Sequence, residues 1–276
     1  MSHHEIALPL VSLVSKTRTA VRRAVKTSYE WRDYFLANAK NRLHVPWELC
    51  PCVTAEELAT IARSLQAWQL GETSDGSHLL ASATHYSLTM RDPGFVEAIR
   101  LFIQEEQRHG NDLGRFLDLA GVQRLKKDWG DTMFRRIRYL IPSMEVWVTP
   151  VVMVETHALI YYAAIRRATQ SPVLRKVCEQ ILRDEVPHIQ FQCERLAILH
   201  RNRSRFWLRV TNAFHRFFFT GITLAIWSAH HRALQAGGLN FTRFWNVSWV
   251  KMELAFKKMK PGAYRWKLTN IRDYLE

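Results

Sequence analysis

Residues 99–116 read IRLFIQEEQRHGNDLGRF, and residues 181–196 read ILRDEVPHIQFQCERL. Both stretches place apolar residues every three or four positions, the period of one helix face. In each, a Glu-x-x-His pair interrupts that face: Glu106 with His109, and Glu185 with His188. Residues three apart on a helix project from nearly the same side, about 5–6 Å apart. Either pair alone is weak evidence. What counts is that both fall on a face meant for burial. Helical periodicity is nearly continuous along the 276 residues and strand signals are scarce, so the sequence predicts an all-α protein.

Working outward, four helices can be cut at their caps. Thr54 followed by Glu57 is a capping box that starts the first. Its core face reads Leu58, Ile61, Leu65, Trp68, Glu72 and Leu79, and it is expected to continue to about Met90, weakened by Gly71 and Gly76. Asp92 and Pro93 supply an N-cap and a first-turn proline for the second helix, which ends at Gly121. Residues 122–142 form a long connection with a short helix expected inside it. The third helix spans about 143–169, with Val148, Val152, Glu155, Leu159, Tyr162 and Ile165 on one face. Ser171 and Pro172 open the fourth, which buries Leu174, Val177, Cys178, Ile181, Glu185, His188, Gln192 and Leu196. Helices one and two are joined by a few residues, as are three and four, so each pair is expected to be antiparallel. Some twenty residues join helix two to helix three.

Glu72 and Glu155 interrupt the first and third faces just as the two pairs interrupt the second and fourth. A buried carboxylate is costly unless it is paired or bound to metal. Four of them converging would repel strongly, and two divalent cations would neutralise them. The order Glu72, Glu106-x-x-His109, Glu155, Glu185-x-x-His188, with intervals of 34, 49 and 30 residues, resembles the ferritin-like superfamily of di-iron carboxylate proteins. The resemblance covers roughly residues 54–200. It implies a four-helix bundle with one long crossover and two iron ions. Glu106 and Glu185 would bridge the metals, Glu72 and Glu155 would be terminal ligands, and His109 and His188 would give one nitrogen to each. Manganese fits the same ligands.

Glu105 beside Glu106 is an alternative ligand, but the three-residue step to His109 favours Glu106, and Glu105 is expected to point away from the core. Pro187 removes a helical hydrogen bond and is expected to kink the fourth helix at the site. Gly71 is expected to loosen Glu72. His78 and His157 are weaker ligand candidates, since His157 lies about 200° around the helix from Glu155. Tyr162, one heptad beyond Glu155, is a candidate catalytic residue, as a radical carrier or a hydrogen-bond partner of a ligand, set against a plain packing role. Trp68 and Phe102, one turn from ligands, either line a substrate pocket or pack.

The chain divides by composition into a basic, mostly helical lead-in (1–52), the candidate di-iron bundle (53–200) and a basic, aromatic-rich helical extension (201–276). In that extension Phe214, Phe217, Phe218, Phe219, Ile222, Leu224 and Trp227 lie between Arg203, Arg205, Arg209 and Arg216 on one side and Arg232 on the other. Packing over the bundle or a homodimer face is the expectation there; an anionic membrane surface or a lipid-like substrate is the alternative. The net charge of +14 suits an acidic partner, but no recognised nucleic-acid motif is present. The four cysteines form no disulfide framework, and Cys50 and Cys52 do not have redox or zinc spacing, which suggests a reducing, cytoplasmic setting. The short apolar stretch 6–15 lacks a signal peptide's basic start and cleavage site, and the charge-free stretch 217–229 is too short to span a bilayer. The leading functional expectation is an oxygen-activating non-haem di-iron oxidase or oxygenase. It would act on an apolar or aromatic small molecule and need an external electron donor. Iron handling or peroxide removal, and a metal-stabilised binding module, are the alternatives. A rubrerythrin-like relay would need paired C-x-x-C motifs, which the chain lacks.

Overall fold

The computed structural model describes residues 23–74, 76–128, 132 and 143–266. These residues form an all-α bundle: α1 (Ser28–Lys40), α2 (Ala55–Glu72), α3 (Ser77–Met90), α4 (Pro93–Leu119), α5 (Met144–Ala168), α6 (Pro172–Leu199), α7 (Arg205–Ala236) and α8 (Phe241–Lys258). The strand content among them is one parallel pair of two-residue strands, β1 (Arg23–Ala24) and β2 (Tyr264–Arg265), with Arg23 opposite Tyr264. The apolar stretch 6–15 and most of the short helix expected within 122–142 lie outside the described residues.

The expected first helix is two helices. α2 ends at Glu72, and Gly76 caps the start of α3 with φ +67°, a left-handed conformation that any side chain would strain. A Cβ there would also meet Ile103 Cγ2 at 2.6 Å. The helix therefore breaks before Gly76, and Glu72 becomes the last residue of α2. The other boundaries follow their caps. Ser171 accepts from Leu174 N at 3.2 Å, and Thr54 accepts from Glu57 N at 3.1 Å. The Glu57 carboxylate does not close the box, because Thr169 Oγ1 donates to it across the bundle. Asp92 stands at the N-cap of α4, but its carboxylate serves Ser28 Oγ (2.6 Å) and Arg195 (3.3 Å) instead. α6 continues through Pro187 as one helix.

α5 and α6 pack along each other, α2 and α3 both lie on α4, and α4 meets α6. Two apolar clusters fill the bundle. One takes Leu79, Phe95, Phe102, Val152, Phe191 and Leu196; the other takes Leu65, Phe116, Tyr162, Ile165, Leu174 and Val177. Each such side chain, fully buried, is worth about 1.5–3 kcal/mol. On all four bundle positions the acidic and histidine residues fall between the segments that feed the two clusters, so they meet at mid-height. The order of segments also gives direction. α4 and α5 both run from the first cluster to the second, while α2–α3 and α6 run the other way. Parallel neighbours in sequence need a return along the bundle, which is why the connection between α4 and α5 is long.

Two further layers cover this bundle. α1 lies along α4, with Trp31 and Phe35 buried against Phe191 at ring distances of 5.2 and 5.4 Å. α7 crosses α5 and reaches α2, and α8 packs on α5, α6 and α7. α5 is long and apolar enough to cross a membrane, with mean hydropathy 1.4, but 78% of that window is buried inside the bundle. It is the central helix of the protein core.

Candidate metal centre

Six side chains from four helices converge at mid-bundle. Glu106, Glu155, Glu185 and His188 form one group, and Glu72, Glu106 and His109 form another; within each, one donor atom per residue lies within 4.8 Å of the rest. Glu106 belongs to both. Glu185 also spans the site, with Oε1 3.9 Å from His109 Nδ1 and Oε2 3.7 Å from His188 Nδ1. Glu72 reaches in because α2 and α4 come unusually close: a Cβ on Gly110 would meet Thr73 Cγ2 at 2.7 Å and the Glu72 carbonyl carbon at 3.1 Å.

Several of these donors have no hydrogen-bond partner. Both oxygens of Glu155, Oε2 of Glu185 and Nδ1 of His109 are buried and unpartnered. Nδ1 of His188 stands 2.7 Å from Glu106 Oε1 without hydrogen-bond geometry. A buried unpaired carboxylate costs several kcal/mol, so a cation is the simplest partner for this set. The opposite face of each imidazole is tied down. His109 Nε2 pairs with Asp184 Oδ2 at 3.0 Å, and His188 Nε2 with Glu105 Oε2 at 3.3 Å. With Nε2 donating to a carboxylate, Nδ1 is left as the lone-pair face turned to the site.

The electrostatics follow from crowding. Burial raises the carboxyls of Glu72, Glu155 and Glu185 above their ordinary range, and the neighbouring glutamates push the same way. Burial also works to raise Glu106, but the charge on His188 and its contact overcome this and hold Glu106 at about 2. Burial would lower His188, yet Glu106 and then Glu105 hold it well above the usual imidazole value. Burial likewise opposes Asp184, which His109 keeps at about 2. Without a cation, burial and crowding thus favour the protonated forms of the Glu72, Glu155 and Glu185 carboxyls, and the carboxylates around His188 favour its protonated form; a bound cation would instead take the Nδ1 lone pair.

The structure corrects the reading of Glu105. It was expected to face outward; instead it is 1% exposed. Its carboxylate takes hydrogen bonds from Arg108 at 2.6 Å and from Asn38 of α1, besides the His188 contact. Asn38 also donates to Asp184 at 2.8 Å, and Gln180 donates to Asp184 at 2.8 Å. A signal for this was present in the sequence: both Glu-x-x-His pairs are preceded by another acidic residue, Glu105 before Glu106 and Asp184 before Glu185. Nothing local marked Asn38, which reaches the network only because α1 packs on α4. Because Glu105 orients His188, Glu105→Gln is expected to weaken metal binding about 10- to 100-fold while leaving the ligand set complete. Competition titration against a chelator measures this, and an unchanged affinity would mean that His188 is held by its packing alone.

The remaining candidates divide. Tyr162 Oη donates to Glu72 Oε1 at 2.8 Å and is fully buried. Trp68 stands edge-on to Tyr162 and stacks on Tyr161 at 4.7 Å, and Tyr161 shares Ser64 Oγ (2.9 Å) with His230. Phe102 packs edge-on against His188 at 4.8 Å. His157 turns away from the site, bonded to Met153 O at 2.8 Å and Thr223 Oγ1 at 3.1 Å. His78 is exposed on α3. No protein-family model, curated protein or solved structure matches this chain.

Proposed function

We propose that this protein is a ferritin-like, oxygen-activating non-haem di-iron oxidoreductase acting on an apolar or aromatic small molecule. The observation that carries the reading is the pair of donor groups sharing Glu106, with both oxygens of Glu155 buried and unpartnered. Carboxylate-rich sites with one imidazole per metal suit hard, redox-active iron. Two ferrous ions held there would supply electrons for the reduction of dioxygen. Glu72, Glu106 and His109 would hold one ion, and Glu155, Glu185, His188 and the shared Glu106 the other.

The chain's own groups do the rest. Phe35, Phe102 and Phe191 crowd the His188 side and exclude water. Asp184 and Glu105 fix the imidazoles. Tyr162 donates a hydrogen bond to Glu72, and in this reading it would pass a proton and an electron toward the site. An external donor would restore the reduced state.

The test is stopped-flow absorption after mixing anaerobically reconstituted ferrous protein with oxygenated buffer. Rapid oxidation of the bound iron with a transient absorbing species is expected, and Tyr162→Phe should change the decay of that species. If ferrous iron at full occupancy stays unoxidised in air over minutes, the site holds its metal for structure.

A further inference from the structure

We infer that the outer face of α7 and α8 docks the protein on an anionic lipid bilayer. Taking about 100° per residue, Phe206, Val210, Phe214, Phe217 and Leu224 of α7 fall within a wedge of about 80°. All five are exposed, Phe217 at 79% and Phe206 at 66%. Trp207, 59% exposed, borders the wedge. Arg205, Arg209 and Arg216 lie together along one flank of it, toward α8, where Arg216 pairs with Glu253 at 2.5 Å. On α8, Arg243, Val250, Leu254 and Lys257 are exposed and fall within a wedge of about 60° of their own. Between the two helices an open depression of about 260 Å³ is lined by Leu224, Phe241, Thr242 and Trp245.

The charge names the occupant. Residues 201–266 contain twelve Lys and Arg and a single acidic residue, Glu253, so this quarter of the chain carries eleven of the fourteen net positive charges. A second copy of the chain seated on the stripe would bring two such faces together, and like charges at close range repel. Nucleic acid would meet a ridge of phenyl and aliphatic groups that offer no hydrogen bonds to phosphates or base edges. A bilayer with anionic headgroups satisfies both halves: rings and aliphatics enter the headgroup–acyl boundary, and the arginine flank meets the phosphates. The sequence alone favoured packing or dimerisation for this segment. Packing accounts for Phe219 and part of Trp227, but the Phe206–Leu224 ridge is outside it. The inference does not depend on which metal the bundle holds.

Co-sedimentation of the full chain with vesicles tests it. Vesicles of phosphatidylcholine mixed with phosphatidylglycerol should retain the protein, vesicles of phosphatidylcholine alone should retain at least about tenfold less, and added salt should weaken retention. The double variant Phe214→Glu/Phe217→Glu should lose vesicle binding while keeping its circular dichroism, melting temperature and metal content, since both side chains are exposed. Arg205→Glu/Arg209→Glu should reduce it at least about tenfold. Equal retention on neutral and anionic vesicles, or no retention at low salt by folded protein, would overturn the inference. So would a dimer in gel filtration that the Phe217→Glu change dissolves, or DNA binding that the arginine reversals abolish while vesicle binding persists.

Discussion

Glu106→Ala protein is expected to take up fewer than one metal ion per chain, against an expected two in the parent. Glu106 is the one side chain common to both donor groups, so its loss leaves Glu72 with His109 on one side and Glu155, Glu185 and His188 on the other. The first remnant has two donors, too few to hold a divalent ion against water. The second loses one of its four donors, the carboxylate whose Oε1 sits 2.7 Å from His188 Nδ1. Glu185→Ala should match it, because Glu185 reaches toward both imidazoles. Glu72→Ala and Glu155→Ala should each be milder, since each removes a ligand from one group. Elemental analysis after reconstitution, with thermal melts as a check on folding, separates these cases. Two metals retained by Glu106→Ala would dissolve the idea of a shared ligand.

The metal-free protein should be most stable in mildly acidic solution and lose stability as the pH rises through neutrality, and bound metal should remove that loss. The sign follows group by group. Glu72, Glu155 and Glu185 hold their protons more tightly when folded than at the ordinary value of 4.5, so above that pH the unfolded chain releases protons that the folded one keeps, and stability falls. His109 and His188 are raised from 6.5; what they contribute is present below 6.5 and is lost as the pH rises through their folded values. Glu106 and Asp184, held at about 2, act the other way: their contribution is present above their ordinary values of 4.5 and 3.8 and is lost as the pH falls toward 2. The maximum therefore lies near pH 4.5, above the acid limb of Glu106 and Asp184; the raised glutamates begin the loss on its alkaline side and the imidazoles extend it above 6.5. Metal supplies the positive charge in place of protons and flattens the alkaline limb. Melting curves across that range, with and without metal, read the difference directly, at roughly 2–4 °C for each kcal/mol in a chain of this size. A metal-free protein whose melting temperature climbs from acid to alkaline pH would contradict these charge states.

Much of this site was legible in the sequence because burial makes polar residues conspicuous. A glutamate on an apolar face needs a reason, and Glu72, Glu106, Glu155 and Glu185 at matching depths on four helices suggested a shared one. The starts of α4 and α6 were marked by Pro93 and by Ser171 with Pro172, which act on their own backbone. What escaped were features decided by distant parts of the chain. The break after Glu72 depends on Ile103 packing against Gly76. The inward turn of Glu105 depends on Arg108, on His188 and on Asn38 of a helix that sequence alone left outside the bundle. The aromatic extension split into a packed half and an exposed half, and periodicity within one helix does not say which stripe meets a neighbour.

The two histidine–carboxylate pairs run crosswise: His109 of α4 to Asp184 of α6, and His188 of α6 to Glu105 of α4. They join positions 75 and 83 residues apart, whereas α3 to α4 and α5 to α6 each close through a short turn. Closing a long loop takes more chain entropy than closing a short one, so the local hairpins can form first and the crosswise pairs afterwards. The group of Glu72, Glu106 and His109 lies on α2 and α4, but the Asp184 that tethers its imidazole is on α6, and the other group draws on α4, α5 and α6. A cation held there would therefore lock an assembly whose crosswise ties are already made, rather than nucleate the fold.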